Sequence, residues 1–87
     1  MKAMQFAHKW VLITGASSGL GLEMATQLAE QHHANLILVA RREAQLLALK
    51  QHLEQTTGVK CEVIVTDLSI ASDVERVYQQ AIAIADI

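Results

Sequence analysis

Apolar residues along the 87-residue chain fall into two kinds of segment that alternate from one end to the other. Three short segments are predicted to be strands, and the first two of them are apolar runs of the kind found in strands that are buried in a sheet. They occupy Trp10–Thr14, Asn35–Ala40 and 60–66. The first run is bounded by Gly15, and its composition predicts a strand buried on both faces.

Each run is followed by a segment whose apolar residues recur with the period of a helix. The first, about 19–31, is expected to pack on the sheet and to close at His32-His33, where a residue other than glycine would adopt a left-handed conformation at some cost. The second, 43–56, is expected to end at Gly58. The apolar stripes are Gly21, Met24, Ala25, Leu28 and Ala29 in the first segment, and Leu46, Leu49 and Leu53 in the second.

The third helical segment opens on Ser72 and Glu75, which form an S-x-x-E capping box. Its apolar stripe consists of Val74, Val77, Tyr78, Ala81, Ile82 and Ala85. The resulting order of strand, helix, strand, helix, strand, helix predicts an α/β fold, because right-handed crossovers return each helix across a parallel sheet. Three such βα units make half of a doubly wound fold.

Composition and charge narrow the possible partners. The chain is 52% apolar and 18% charged, which predicts a globular domain, and its length predicts a thin core. The net charge is -2 and the one adjacent basic pair is Arg41-Arg42, so nucleic acid is not an expected partner. No apolar run is long enough to span a bilayer. A lone Cys61 and an N-terminus without an apolar signal region favour the cytoplasm.

Cysteine and histidine patterns predict neither a nucleophile nor a metal site. Cys61 lies in a predicted strand and is expected to pack in the core. The four histidines lack the spacing of metal ligands.

The clearest chemical signal is the glycine-rich turn between the first strand and the first helix. Such a turn points backbone N–H groups and the positive end of a helix dipole at an anion, and a phosphate fits that position. Gly15 is expected to make the tight exit from the strand, Gly19 to admit the phosphate or ribose, and Gly21 to let the helix pack closely. Ser17 and Ser18 add hydroxyl donors. The alternative is a glycine-rich connection without a ligand.

The spacing of the glycines distinguishes between nucleotide motifs. A P-loop would need glycine and lysine where the chain has Leu20 and Gly21. The G-x-G-x-x-G fingerprint would need glycine at Met24. The pattern T-G-x-x-x-G-x-G, which begins at Thr14, resembles the ordinary form of the short-chain dehydrogenase/reductase family.

The resemblance extends over about residues 8–87 and implies a Rossmann-type domain with strand order 3-2-1. Residues 1–87 are then expected to be a single partial dinucleotide-binding domain that stops before the fourth strand. The function implied is NADP(H) binding in an oxidoreductase that transfers hydride between NADP(H) and a carbonyl or alcohol substrate.

The cofactor preference implied by the resemblance depends on the end of the second strand. Members that prefer NAD carry an acidic residue where this chain has Ala40. Arg41 and Arg42 follow, and guanidinium groups pair well with phosphate oxygens, which favours the 2'-phosphate of NADP. The alternative is a pair of solvated residues at a helix start.

The end of the third strand supplies the other implied contact. Asp67 resembles the family aspartate that holds the adenine amino group, and Leu68 would form an apolar wall beside the adenine. The alternative for Asp67 is a loop cap. The predicted cofactor-binding residues are Gly15, Ser17, Ser18, Gly19, Leu20, Gly21, Arg41, Arg42, Asp67 and Leu68.

The family's catalytic residues have no counterpart in the sequence. Hydride transfer in the family uses a Tyr-x-x-x-Lys pair and a serine, usually helped by an asparagine. The only tyrosine is Tyr78, which is expected to be a core residue, and Ile82 stands at the lysine position. The N-N-A-G element of the fourth strand is also missing. No catalytic residue is therefore predicted, and the chain alone is expected to be inactive.

Two other interpretations stay open. The first is a self-associating nucleotide-binding half-domain without redox activity. The second is an epimerase or dehydratase of the family's extended branch, although that branch would need glycine where this chain has Ser18. With a thin core and an open edge on the first strand, the chain is expected to form a homodimer or larger assembly.

Overall fold

Three parallel strands alternate with three helices in the computed structural model, which describes residues 8–67 and 71–85. The elements are β1 Trp10–Thr14, α1 Gly19–His32, β2 Asn35–Ala40, α2 Glu43–Thr57, β3 Cys61–Val65 and α3 Ala71–Ala85. The predicted α/β arrangement is confirmed, and the predicted strand and helix limits are met to within one residue for β1, α1, β2, α2 and β3.

β2 is the central strand of the sheet, whose order is β1-β2-β3. It pairs in parallel with both neighbours, and all six of its residues are buried. Successive side chains of a strand point to opposite faces. Leu36, Leu38 and Ala40 therefore join one core cluster, whereas Ile37 and Val39 join a second one on the other face.

The helices cover both faces of the sheet. α1 contributes Ala25 and Ala29 to the first cluster, and α2 contributes its predicted stripe. That stripe is Leu46, Leu49 and Leu53, all of which are buried. α3 lies on the opposite face, where Val77 packs with Ile37, Val39 and Ile64.

The prediction that β1 is buried on both faces is wrong. Ile13 is buried, but Leu12 is 40% exposed and Thr14 is exposed. The reason is position, because β1 lies at the edge of the described sheet and a continuous apolar run cannot distinguish an edge strand from a central one.

The predicted stripe of α3 also needs correction. Val77, Ala81 and Ile84 pack on the sheet, whereas Val74 is exposed and Tyr78 is 60% exposed, so Tyr78 is not a core residue. Val77 and Ala81 of the predicted stripe are therefore on the buried face, but the apolar character of Val74 gave no sign in the sequence that this residue and Tyr78 would be exposed. One smaller prediction fails as well, since Met24 of α1 is exposed. The predicted capping box depends on the Ser72 side chain, which lies outside the part of the chain that the structure describes.

The ends of α1 and α2 are as predicted. His33 adopts the left-handed conformation with φ 52°, and Gly58 does so with φ 77°. Beyond them the buried Asn35 amide donates to the His8 carbonyl at 3.3 Å and accepts from the Lys60 N–H at 2.9 Å. These bonds tie together the segments that lead into β1 and β3.

Candidate dinucleotide-binding site

A cleft of about 370 Å³ lies where the carboxyl ends of the three strands meet. In open α/β sheets, ligands bind outside this end of the strands. The lining residues come from the turns that follow each strand and from the last residues of β2. They are Gly15, Ser17, Ser18, Val39, Ala40, Arg41, Arg42, Thr66 and Asp67.

The turn after β1 is held against β2 and needs glycine at three places. The Ala16 N–H donates to the Val39 carbonyl at 3.1 Å, and Ala16 is fully buried. Gly15 and Gly19 have φ values of 63° and 59°, which strain any other residue. A Cβ on Gly21 would lie 2.3 Å from the Gly15 carbonyl oxygen, so α1 can approach the turn this closely only with glycine there.

α1 begins beside the cleft with its first N–H groups unused by the helix. Ser18 is the N-cap residue in an extended conformation, and its side chain makes no capping bond. The Leu22 N–H donates to the Ser18 carbonyl, so the N–H groups of Gly19, Leu20 and Gly21 have no acceptor within the helix. This end of a helix attracts an anion through its N–H groups and its dipole.

Arg41 and Arg42 bring positive charge to the opposite wall of the cleft. Both are exposed, and they directly follow the last residue of β2. Among the residues that the structure describes, neither guanidinium forms an ion pair or a hydrogen bond; the recorded ion pair joins Arg76 to Asp73. Two arginines without an acidic partner are suited to an anionic ligand, since guanidinium donors match phosphate oxygens.

The end of β3 forms the third wall. The Thr66 N–H donates to the Ala40 carbonyl at 3.0 Å, and Asp67 follows as a half-buried residue on the cleft. The Thr66 hydroxyl donates to Asp73 at 2.9 Å and accepts from Arg76 at 2.8 Å. This network was not predicted from the sequence, although a threonine at a strand end with charged residues in the next helical turn is a visible signal.

The cleft brings together the predicted residues of all three turns. Gly15, Ser17, Ser18, Arg41, Arg42 and Asp67 line it. Gly19, Leu20 and Gly21 lie in the adjoining first turn of α1, outside the lining. Leu68 falls outside the described residues.

Cys61 lies away from the cleft, as the sequence predicted for a packing residue. It is buried in β3, and its N–H donates to Glu54 at 3.1 Å. Burial, with the Glu54 charge as a second cause, raises the pKa of the thiol to about 11, so it is protonated at neutral pH and is not a nucleophile.

Residues 8–67 and 71–85 contain neither a candidate metal site nor a candidate membrane span. No group of three or more histidine, cysteine, aspartate or glutamate side chains could hold a metal ion there. None of the helices in those ranges is both long and apolar enough to cross a membrane.

Known proteins with similar sequences include a reductase that is much longer than this chain. The chain is 44% identical over 80 residues to a very-long-chain 3-oxoacyl-CoA reductase of Meyerozyma guilliermondii, an alignment covering 91% of this chain and 23% of the relative. The curated relatives are therefore much longer, and the chain spans about a quarter of their length.

Solved structures of short-chain dehydrogenases and reductases share this fold. L-sorbose reductase from Gluconobacter frateurii, complexed with NADPH and L-sorbose, superposes with a TM-score of 0.84 at 30% identity, over 92% of this chain and 30% of that one. A short-chain dehydrogenase from Sphingobium yanoikuyae, in complex with NADPH, gives a TM-score of 0.78 at 39% identity, over 83% and 28%. The family model for short chain dehydrogenases matches residues 9–86, and this chain belongs to that family.

Proposed function

We propose that the cleft binds NADP(H) and that the chain is the cofactor-binding part of an oxidoreductase acting on a carbonyl or alcohol. The observation that carries the proposal is the convergence at one cleft of a helix N-terminus and two arginines that have no acidic partner among the described residues. A dinucleotide with a 2'-phosphate has two separate anionic groups, and the cleft offers two separate cationic regions for them.

Each region has an assigned role in this proposal. The first turn of α1, from Gly19 to Gly21, would hold the pyrophosphate, and Ser17 and Ser18 would add hydroxyl donors. Arg41 and Arg42 would hold the 2'-phosphate, where a carboxylate would repel it. Asp67 would accept a hydrogen bond from the adenine amino group, beside Leu68.

The relatives support the choice of cofactor and chemistry. Two structural relatives were solved with NADPH, and the names of two relatives describe reductases. When bound, NADP(H) supplies or takes the hydride. The residues of this chain bind and orient it, whereas Tyr78 and Ile82 do not provide the family's catalytic pair, so proton transfer would depend on residues outside this chain.

Several finer features belong to the same proposal. We place residues 1–87 in a single partial domain of a doubly wound Rossmann-type fold, with the strands in the order 3-2-1 before a fourth strand. We also place the protein in the cytoplasm, and we expect the 87-residue chain by itself to form homo-oligomers through the edge of β1.

The decisive experiment is a titration with NADPH and NADH, followed by fluorescence, of wild-type protein and of the double variant R41A/R42A. Each charge-assisted bond contributes about 1.5–3 kcal/mol, so the double variant should bind NADPH at least about tenfold more weakly. NADH binding should change little, because NADH has no 2'-phosphate.

Lys60→Ala provides the matched control, because Lys60 is an exposed cation next to the start of β3, at the opposite end of the sheet. It should leave both affinities unchanged. Equal wild-type affinity for NADPH and NADH, or a double variant that binds NADPH normally, would refute the assignment to NADP.

A self-associating nucleotide-binding module without redox activity is the second candidate, favoured by the absence of a Tyr-x-x-x-Lys pair in this sequence. Turnover of NADPH with carbonyl substrates by the protein purified from its native source distinguishes the two, because the 87-residue chain by itself is expected to be inactive in either case. Cofactor binding without any turnover would favour the module.

A further inference from the structure

The end of β3 is attached to the start of α3 by three side chains. Thr66 Oγ1 donates to Asp73 Oδ2 at 2.9 Å, and Arg76 Nη2 donates to Thr66 Oγ1 at 2.8 Å. Arg76 Nη2 also lies 3.8 Å from Asp73 Oδ2. The three polar groups therefore contact one another at the wall of the cleft, which Thr66 lines.

These bonds determine what Thr66 can do for a ligand. A threonine hydroxyl has one proton and two acceptor positions. Because the proton is directed to Asp73, the hydroxyl cannot at the same time donate to a phosphate, ribose or adenine acceptor. Thr66 is 7% exposed, so it contributes to the wall through its fixed position.

Thr66 is held from two directions. Its N–H donates to the Ala40 carbonyl in β2 at 3.0 Å, and its side chain is held by α3. Asp67 is the next residue and lies on the cleft. A change in the position of Thr66 would therefore move the backbone that carries the Asp67 carboxylate.

We propose that Asp73 and Arg76 are positioning residues for the cofactor, because they fix Thr66 and with it the aspartate that recognises the adenine. The inference rests on the proposed NADP(H) site. It assigns to the first two turns of α3 a role in adenine selectivity, although neither side chain lines the cleft.

The test compares NADPH with reduced nicotinamide hypoxanthine dinucleotide phosphate, which lacks the adenine amino group. The wild-type protein should bind NADPH about tenfold more tightly, since the lost hydrogen bond involves a carboxylate. In Thr66→Val, which removes the hydroxyl at nearly constant shape, this preference should fall to about twofold. Thr66→Ser keeps the hydroxyl and should therefore retain the wild-type preference for NADPH.

Arg76→Met gives a second, independent variant, because the Arg76 side chain is 45% exposed and its replacement does not disturb the core. It should lower the same preference, whereas Gln80→Met, at an exposed position of α3 outside the network, should not. Both affinities are measured below the thermal unfolding transition of each variant.

The outcomes separate this inference from the function on which it rests. An unchanged preference in Thr66→Val and Arg76→Met, or an equal weakening of both ligands, would overturn the positioning role and leave the NADP(H) site intact. Wild-type protein that binds both ligands equally would overturn the inference as well, while its NADPH over NADH preference would still support the site. Wild-type protein that binds no NADPH would overturn both.

Discussion

Gly21 is a residue at which α1 lies directly against the glycine-rich turn. A Cβ there would lie 2.3 Å from the Gly15 oxygen, 2.7 Å from the Gly15 carbonyl carbon and 2.9 Å from the Thr14 oxygen. All three are backbone atoms, so no side-chain rotation can relieve the clash. Any larger residue must therefore move the first turn of α1 away from β1, and with it the N–H groups proposed to bind the pyrophosphate.

Gly21→Ala should therefore reduce both stability and cofactor binding. We expect the free energy of unfolding to fall by about 1–3 kcal/mol, the usual cost of overpacking, and NADPH to bind more weakly. Urea unfolding and fluorescence titration measure the two effects. Gly58→Ala is the control, since it strains a left-handed residue far from the cleft and should lower stability by about 1–2 kcal/mol without changing NADPH affinity. Normal affinity in Gly21→Ala would contradict the proposed role of the turn.

At the scale of the element, α1 ends at a capping residue whose backbone conformation is unfavourable for its residue type. His33 has φ 52° and ψ 36°, and its N–H donates to the Ala29 carbonyl at 3.2 Å. The Ala34 N–H then returns to the Leu28 carbonyl at 3.1 Å. These two hydrogen bonds are those of a helix that ends with a residue in the left-handed conformation. Glycine is usual at such a position because it lacks a Cβ, whereas His33 has one.

Replacement of His33 by glycine should therefore raise the stability of the chain, whereas replacement of the neighbouring His32 by glycine should lower it. His33→Gly removes left-handed strain and should stabilise the chain by about 0.5–1 kcal/mol, after the added entropy of the unfolded state is subtracted. His32→Gly places glycine inside the helix and should destabilise it by about 1 kcal/mol. Urea unfolding of both variants provides the comparison. Destabilisation of equal size in both would show that the His33 conformation carries no strain.

The element scale also shows what the sequence could and could not predict. The limits of β1, β2 and α2 follow from Gly15, Gly58 and the apolar runs, because these signals are local. The buried face of α3 follows only in part: Val77 and Ala81 pack as predicted, but Val74 and Tyr78 of the same predicted stripe are exposed, because the position of the sheet decides which side of the helix is covered.

The candidate site also combines residues that local sequence signals predict with contacts that they do not. Its glycines and arginines are adjacent in sequence to predicted strand ends, and the fold brings them to one cleft. The network of Thr66, Asp73 and Arg76 could not be predicted from the sequence, because hydrogen bonding between the end of β3 and α3 depends on how the two elements pack. The exposure of β1 could not be predicted from its run of apolar residues either.

At the scale of the whole molecule, the edge strand β1 is less covered by neighbouring elements than the central strand β2. β2 has a hydrogen-bonded neighbour on each side and helices over both faces, whereas β1 has a partner only on the β2 side within the described residues. Its outer backbone N–H and C=O groups have no strand partner among the described residues, and the apolar Leu12 side chain beside them is 40% exposed. An unprotected edge strand pairs readily with another chain.

Self-association of the 87-residue chain through this edge is therefore our last prediction. Size-exclusion chromatography with light scattering should show a dimer or larger assembly at micromolar concentration. Leu12→Lys places a charge on the edge and should shift the chain toward monomer, because lysine is a common protection of edge strands. Leu47→Lys is the matched control: Leu47 is 48% exposed but lies on α2, away from β1, so this variant should associate like the wild type. A stable wild-type monomer would refute self-association, and equal dissociation of both variants would show that general charge, rather than pairing along β1, determines the assembly.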